Sequence, residues 1–291
     1  MFLYPSACAA LSVFPYCLNR VFPLFLLACA LLKGSWEVYI VASISGVIIT
    51  LNEEEKVADC IRSAFKVCDE VIVVDSHSQD RTVAICEEEG ARVIVNDWPG
   101  DGPQRNHGAR FANNDWILVL DADERVEEDA AQFINALALE SPGRAYSFRR
   151  RNMVGSRWVK AAGFYPDEVS RLYNRTQCHY NHKMSHATVV SSDVVQTGTH
   201  LLHFTYSGLE DWVKRAVSLA REDAIALHAR GIQTTRFSPW LHATSALFRK
   251  LVLKGGLLQG QDGMNVAVTT ALHAWLKYSE LHELNTADAR H

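Results

Sequence analysis

Trp116-Ile117-Leu118-Val119-Leu120-Asp121-Ala122-Asp123-Glu124-Arg125 runs from an apolar stretch straight into two carboxylates one residue apart. The run has the length and composition of a buried strand. In a strand, residues i and i+2 point to the same side, so Asp121 and Asp123 are expected to reach one hard divalent cation, with water or phosphate oxygens completing its shell. Such a cation can hold a diphosphate. The same residues also suit an acidic strand-to-helix turn, with Asp123 or Glu124 capping a helix from about Val126.

Upstream, Val47 to Thr50 reads as a β-rich run, Glu53 to Ala64 has helical spacing, and Glu70 to Asp75 is a second buried strand. Asp80 to Glu89 follows as a helix closed by Gly90, Arg92 to Val95 as a third strand, and Gln104 to Ala112 as a third helix. Strands alternating with helices predict an α/β fold, a mostly parallel sheet with helices on both faces. In such sheets ligands sit beyond the carboxyl ends of the strands. Four polar segments follow strand ends here, beginning at Thr50, Asp75, Trp98 and Asp121, and they converge on one rim.

Downstream, Ala145 to Arg151, Val169 to Tyr173 and Leu201 to Phe204 read as further strands. From Gly208 the pattern turns helical: Leu209 to Arg230, Pro239 to Leu253, a break at Gly255-Gly256, then Val266 to Leu284. The expected organisation is an apolar leader over 1–43, poorly ordered or a mis-called start, a catalytic domain over 44–206 and a helical region over 207–291.

With 48% hydrophobic and 21% charged residues and a net charge of -4, the 291-residue chain has ordinary globular composition, and no basic balance argues for nucleic acid. Its seven cysteines are odd in number and contain no Cys-x-x-Cys pair, which reads as reduced thiols in a cytosolic chain. The segment Phe248 to Lys254 mixes bulky apolar residues with three cations, and Trp240, Trp275 and Tyr278 suit headgroup depth. Amphipathic C-terminal helices and peripheral attachment to a membrane surface are therefore expected.

Taken in order, Ile48-Ile49-Thr50-Leu51-Asn52-Glu53-Glu54, Val73-Val74-Asp75-Ser76-His77-Ser78-Gln79-Asp80-Arg81-Thr82, Asp97-Trp98-Pro99-Gly100-Asp101-Gly102-Pro103-Gln104-Arg105-Asn106 and Leu120-Asp121-Ala122-Asp123-Glu124-Arg125 resemble the family 2 glycosyltransferases of GT-A fold. Within them the chain is similar to the lipopolysaccharide core β-1,4-glucosyltransferases. Gly163 to Asp167, Arg171-Leu172-Tyr173, Leu202-His203-Phe204, Lys254 to Gly260 and Lys277-Tyr278 extend the likeness over roughly Ser45 to Leu284.

The resemblance implies a UDP-sugar donor held with Mg2+ or Mn2+, and transfer of a hexose to a lipid-linked or core-oligosaccharide acceptor at the inner face of the cell membrane. It implies a nucleotide pocket framed by Thr50, Asn52 and Glu53, a base or ribose contact from Asp75, and phosphate approach by Gln104 and Arg105. Asp121 would serve both donor and metal, with Asp123 and His203 as further ligands. A carboxylate accepts hydrogen bonds from uracil or ribose, as the Asp75 role requires. An inverting transferase also needs a base for the acceptor hydroxyl. Related enzymes are expected to carry Val-His-Glu after the Arg-Leu-Tyr strand, whereas this chain has Ser185-His186-Ala187, so the base candidates are His186 and Asp167, and the alternatives are a degraded transferase-like binding protein or a nucleotidyltransferase on a similar α/β fold. His179, His182 and His186 are too loosely spaced for zinc. Arg149-Arg150-Arg151 suits either a charged strand edge or a phosphorylated acceptor.

Overall fold

The computed structural model describes residues 43–288. The expected leader therefore lies outside the described residues, apart from Ser43. Strands β1 (Ile44–Thr50), β2 (Glu70–Asp75), β3 (Arg92–Val95) and β4 (Trp116–Asp121) form a parallel block in the order β3-β2-β1-β4. Between them run α1 (Val57–Ala64), α2 (Thr82–Glu88) and α3 (Asp101–Arg110). Alternation sorts the strand side chains onto two faces. Ile48, Val73, Leu118 and Leu120 join Cys60 and Ile61 of α1 in one core, while Val47, Ile72, Val74, Ile117 and Val119 meet Ala109 of α3 in the other. Each fully buried branched side chain contributes on the order of 1.5–3 kcal/mol. Gly108 lets α3 lie flat on the sheet, since a Cβ there would stand 2.6 Å from Val47 and 2.7 Å from Val74.

The sheet then changes character. After the turn at Ala122-Asp123 comes a short strand β5 (Glu124–Val126), and α4 (Glu128–Asn135) starts two residues beyond the Val126 at which the capping alternative began its helix. β5 forms because it pairs with β11 (Asp193–Tyr206), a partner far along the chain. Between these lie β6 (Arg144–Val154), β7 (Arg157–Trp158), β8 (Glu168–Asn174) and the hairpin β9 (His179–Tyr180) with β10 (Val189–Val190). β8 joins antiparallel to both β4 and β6, so the full order is β3-β2-β1-β4-β8-β6-β11-β5, with β7 pairing to β6.

The C-terminal helices are α5 (Leu209–Ala229), α6 (Ser238–Phe248), a π-helical turn (Arg249–Leu253) and α7 (Gly260–Asp288). A third core of Val154, Val159, Ala161, Ala162, Trp212 and Val266 joins them to the sheet. Among the described residues no helix is long and apolar enough to cross a membrane. The described cysteines, Cys60, Cys68, Cys86 and Cys178, are free and buried, and burial pushes the Cys86 thiol up to about 12.

Candidate active site

The rim at the carboxyl ends of β1 and β4 encloses a cavity of about 390 Å³ lined by Thr50, Leu51, Glu53, Trp98, Asp121, Asp123 and His203 among others. Buried Arg125 anchors the backbone beside this cavity. Its guanidinium donates to the carbonyls of Ala122 at 2.9 Å and Glu124 at 2.8 Å, and to that of Lys56, which ties the acidic turn to the loop after β1. The antiparallel register sets Leu202 opposite Arg125 and His203 opposite Glu124, and the Phe204 amide donates to the Asp123 carbonyl at 2.9 Å. His203 is thereby carried to Asp123 by sheet pairing.

The two carboxylates of the motif have different partners. Asp121 Oδ1 accepts from Arg105 Nη2 at 2.7 Å and Oδ2 from Arg171 Nη2 at 2.5 Å. Burial works against its charge, but Arg105, Arg171 and Arg150 more than offset this and hold the carboxyl well below the usual carboxylate range. Buried Glu124 completes the lattice: its Oε1 accepts from Arg171 Nη2 at 2.6 Å and its Oε2 from the Asp121 amide at 3.1 Å. Asp123 instead faces His203, with Oδ2 3.5 Å from Nε2. Asp121 ends the strand and Asp123 lies in the turn, and both line the same cavity.

His203 is oriented from behind by a residue that the sequence did not single out. Asn152 Nδ2 donates to the Phe164 carbonyl at 3.1 Å and to Asp167 Oδ2 at 3.0 Å, which leaves Oδ1 to accept from His203 Nδ1 at 2.6 Å. The proton is thereby assigned to Nδ1, and Nε2 presents its lone pair toward Asp123. A ligating histidine is commonly held this way, so Asp123 and His203 fit a divalent cation. Asn152 follows Arg150 at strand spacing, the one local sign that it shares a face with site residues.

Among the described residues, the only grouping of three metal-ligating side chains within 4.8 Å is Glu127, Asp129 and His200, not Asp121, Asp123 and His203. Arg151 serves that grouping, with Nη1 2.6 Å from Glu127 Oε2 and Nη2 3.3 Å from His200 Nδ1. A guanidinium already supplies the positive charge there.

Thr50 and Glu53 line the cavity, and Thr50 Oγ1 is buried without a hydrogen-bond partner. Burial pushes the Glu53 carboxyl up, with Lys56 opposing and Asp123 adding to the shift. Asn52, Asp75 and Gln104 are not among the cavity-lining residues, and each is committed to internal bonds. Asp75 accepts from the Ser78 amide at 2.8 Å and the Ser78 hydroxyl at 2.5 Å, a turn-capping arrangement. Asn52 accepts from the Gln79 amide at 2.7 Å, and Gln104 bridges Asn96 and Ser76.

A second cavity of about 360 Å³ adjoins the first through Asp121 and is lined by Arg105, Arg150, Asp167, Arg171, His186 and Ala187 among others. Asp167 Oδ2 also accepts from Arg150 Nε at 2.9 Å. His186 is exposed, has a left-handed backbone at φ 53° and makes no hydrogen bond to the described residues. The hairpin bearing it docks on the start of α3, where a Cβ on Gly102 would collide with the Asn181 carbonyl and the Asp101 carboxylate accepts from the Ala187 amide at 2.8 Å. The three consecutive arginines are not free for phosphate. Arg149 pairs with Glu168 at 2.8 Å, Arg150 with Asp167 at 2.8 Å and Arg151 with Glu127 at 2.6 Å.

A strand-end rim with an acidic turn, on a mixed α/β sheet followed by helices, defines a GT-A-like protein. The chain belongs to glycosyl transferase family 2: the model of that family matches residues 45–197. It is 30% identical over 253 residues to an uncharacterized glycosyltransferase of Rickettsia felis, covering 82% of this chain and 89% of that one. It is 26% identical over 263 residues to the lipopolysaccharide core biosynthesis glycosyltransferase LpsC of Rhizobium meliloti, covering 85% and 94%. Among solved structures, S. aureus TarS 1-349 in complex with UDP is 16% identical with a TM-score of 0.39, covering 78% of this chain and 90% of that one.

Proposed function

We propose that the chain is an inverting, metal-dependent transferase that moves a hexose from a UDP-sugar to a lipopolysaccharide core or related glycan. The observation that carries this reading is the Asp123–His203 pair, 3.5 Å apart on a strand-end cavity, with the histidine tautomer set by Asn152. The likeness to LpsC supports the acceptor class, and the motif resemblance supports glucose as the sugar. A divalent cation held by Asp123 and His203 would neutralise the charge of a departing diphosphate. Asp121 would act by fixing Arg105 and Arg171 between the two cavities, and Thr50 and Glu53 would meet the nucleotide. The family assigns glycosyl transfer, which removes a nucleotidyltransferase as the alternative.

The acceptor would occupy the second cavity, where Asp167 and His186 are the candidates to take its proton. His186 offers an imidazole without a hydrogen-bond partner among the described residues, while Asp167 Oδ2 is engaged by Arg150 and Asn152. The protein would work at the cytoplasmic face of the membrane as a peripheral enzyme. Calorimetric titration of UDP-glucose into the full chain, with and without Mn2+, tests the donor site. Metal-dependent binding that disappears in Asp123→Ala is expected, and undiminished binding in that variant sinks the metal assignment. His186→Ala and Asp167→Asn then separate the base candidates, because the true base loses kcat far more than donor affinity.

A further inference from the structure

Between Asp223 and Asp262 the chain has no acidic residue, while Arg230, Arg236, Arg249, Lys250 and Lys254 are cationic, in a protein of net charge -4. The same stretch exposes large apolar side chains, among them Trp240, Leu241, Phe248, Leu253, Leu257 and Leu258, the last 90% accessible. α6 turns its other side to α7, where Pro239 and Ala246 are buried, His242 stacks on Tyr278 at 3.6 Å and Trp240 meets Trp275 at 6.0 Å. The exposed leucines stand on a built turn. A Cβ on Gly256 would come 2.7 Å from the Lys250 carbonyl, and Gly263 meets the Gly256 backbone so closely that no Cβ fits. Their exposure is therefore held in place by packed backbone.

We infer that residues 236–258 form a docking surface for an anionic lipid bilayer. Bulky apolar groups interleaved with cations, and no acid among them, match the acyl boundary and the negative headgroups together. A second copy of the chain matches poorly, because a two-fold interface would set this cationic patch against itself. The surface is also joined to the acceptor side. Lys250 Nζ donates to the Ala162 carbonyl at 2.9 Å, and Gln259 Oε1 accepts from the Ala162 amide at 2.6 Å. Ala162 belongs to the turn that leads into Tyr165-Pro166-Asp167, so docking would present the Asp167 cavity to an acceptor anchored in the same bilayer. That last step rests on the proposed transferase reading; the docking itself does not.

The test is flotation of the full chain with vesicles of phosphatidylcholine alone or doped with phosphatidylglycerol, at low and high salt. The wild type is expected to float with the doped vesicles and to be released by salt. Each cation removed should weaken that binding about fivefold. Arg249→Glu with Lys254→Glu should abolish it, as should Leu257→Asp with Leu258→Asp. These exposed variants should keep the wild-type thermal transition and metal-dependent UDP-glucose binding, so their failure to float is separable from failure of the donor site. Flotation of both double variants like the wild type, or equal flotation on uncharged vesicles, overturns the inference. So does a concentration-dependent dimer in sedimentation that the leucine variants dissolve.

Discussion

The two halves of the sheet are built on different physics. In the parallel half, β3-β2-β1-β4, adjacent residues such as Val47 and Ile48 enter opposite apolar cores, and both are fully buried. In the other half, the strands β8 and β6 carry a lattice of charge: Arg171 on Asp121 and Glu124, Arg150 on Asp167, Arg149 on Glu168, Arg151 on Glu127. The candidate site lies at the carboxyl ends of β1 and β4, and through Asp121 it adjoins the second cavity lined by β8. One half offers a rigid rim, and the other selects which rim side chains stay free for a ligand. Breaking an apolar contact removes area and leaves a void, whereas breaking a buried ion pair strands a charge.

The largest effect should therefore come from Glu124→Ala, which leaves Arg171 buried with half of its carboxylate partners. A loss of about 3–5 kcal/mol in denaturant unfolding is expected. A cost near that of a surface residue would show the lattice to be dispensable.

Acid should attack the same half. Arg105 and Arg171 hold the Asp121 carboxyl below its ordinary value, so its contribution is full above that ordinary value and is lost as pH falls through the depressed one. Thermal transitions should drop from about pH 5 downward, and Asp121→Asn should flatten that limb. An unchanged acid limb in the variant would move the origin of acid sensitivity elsewhere.

Asn152→Ala comes next. Without its amide, His203 loses the acceptor that sets its tautomer, and Mn2+ affinity should fall about 10–100-fold while the fold persists. Unaltered affinity would remove Asn152 from the site. Smallest is Ile48→Val in the parallel half, expected to cost about 0.5–1.5 kcal/mol with donor binding untouched.

Much of the parallel half was legible locally. Glu70–Asp75 and Arg92–Val95 coincide with the expected strands, and the rim of strand-end loops follows from their order. The site was legible as a set of residues and less so as an arrangement. Asp121 and Asp123 were read as a pair on one strand face; they line one cavity, but Asp121 ends the strand, Asp123 lies in the turn and their partners differ. Arg149 to Arg151 suited either a charged strand edge or a phosphorylated acceptor, and each has a carboxylate partner. The alternative of a helix from about Val126 gave no sign of β5, because its pairing partner lies far along the chain on β11.

The sequence by itself determined the alternating α/β half and the acidic turn after its last strand, because periodicity and composition act over a few residues; His203 entered only through the family resemblance. The tertiary structure alone decided that Asp121 faces Arg105 and Arg171 while Asp123 faces His203, and that Asn152 orients the imidazole. Those choices depend on which distant strands pair and on where each buried charge finds its counterion, and neither is encoded in local spacing.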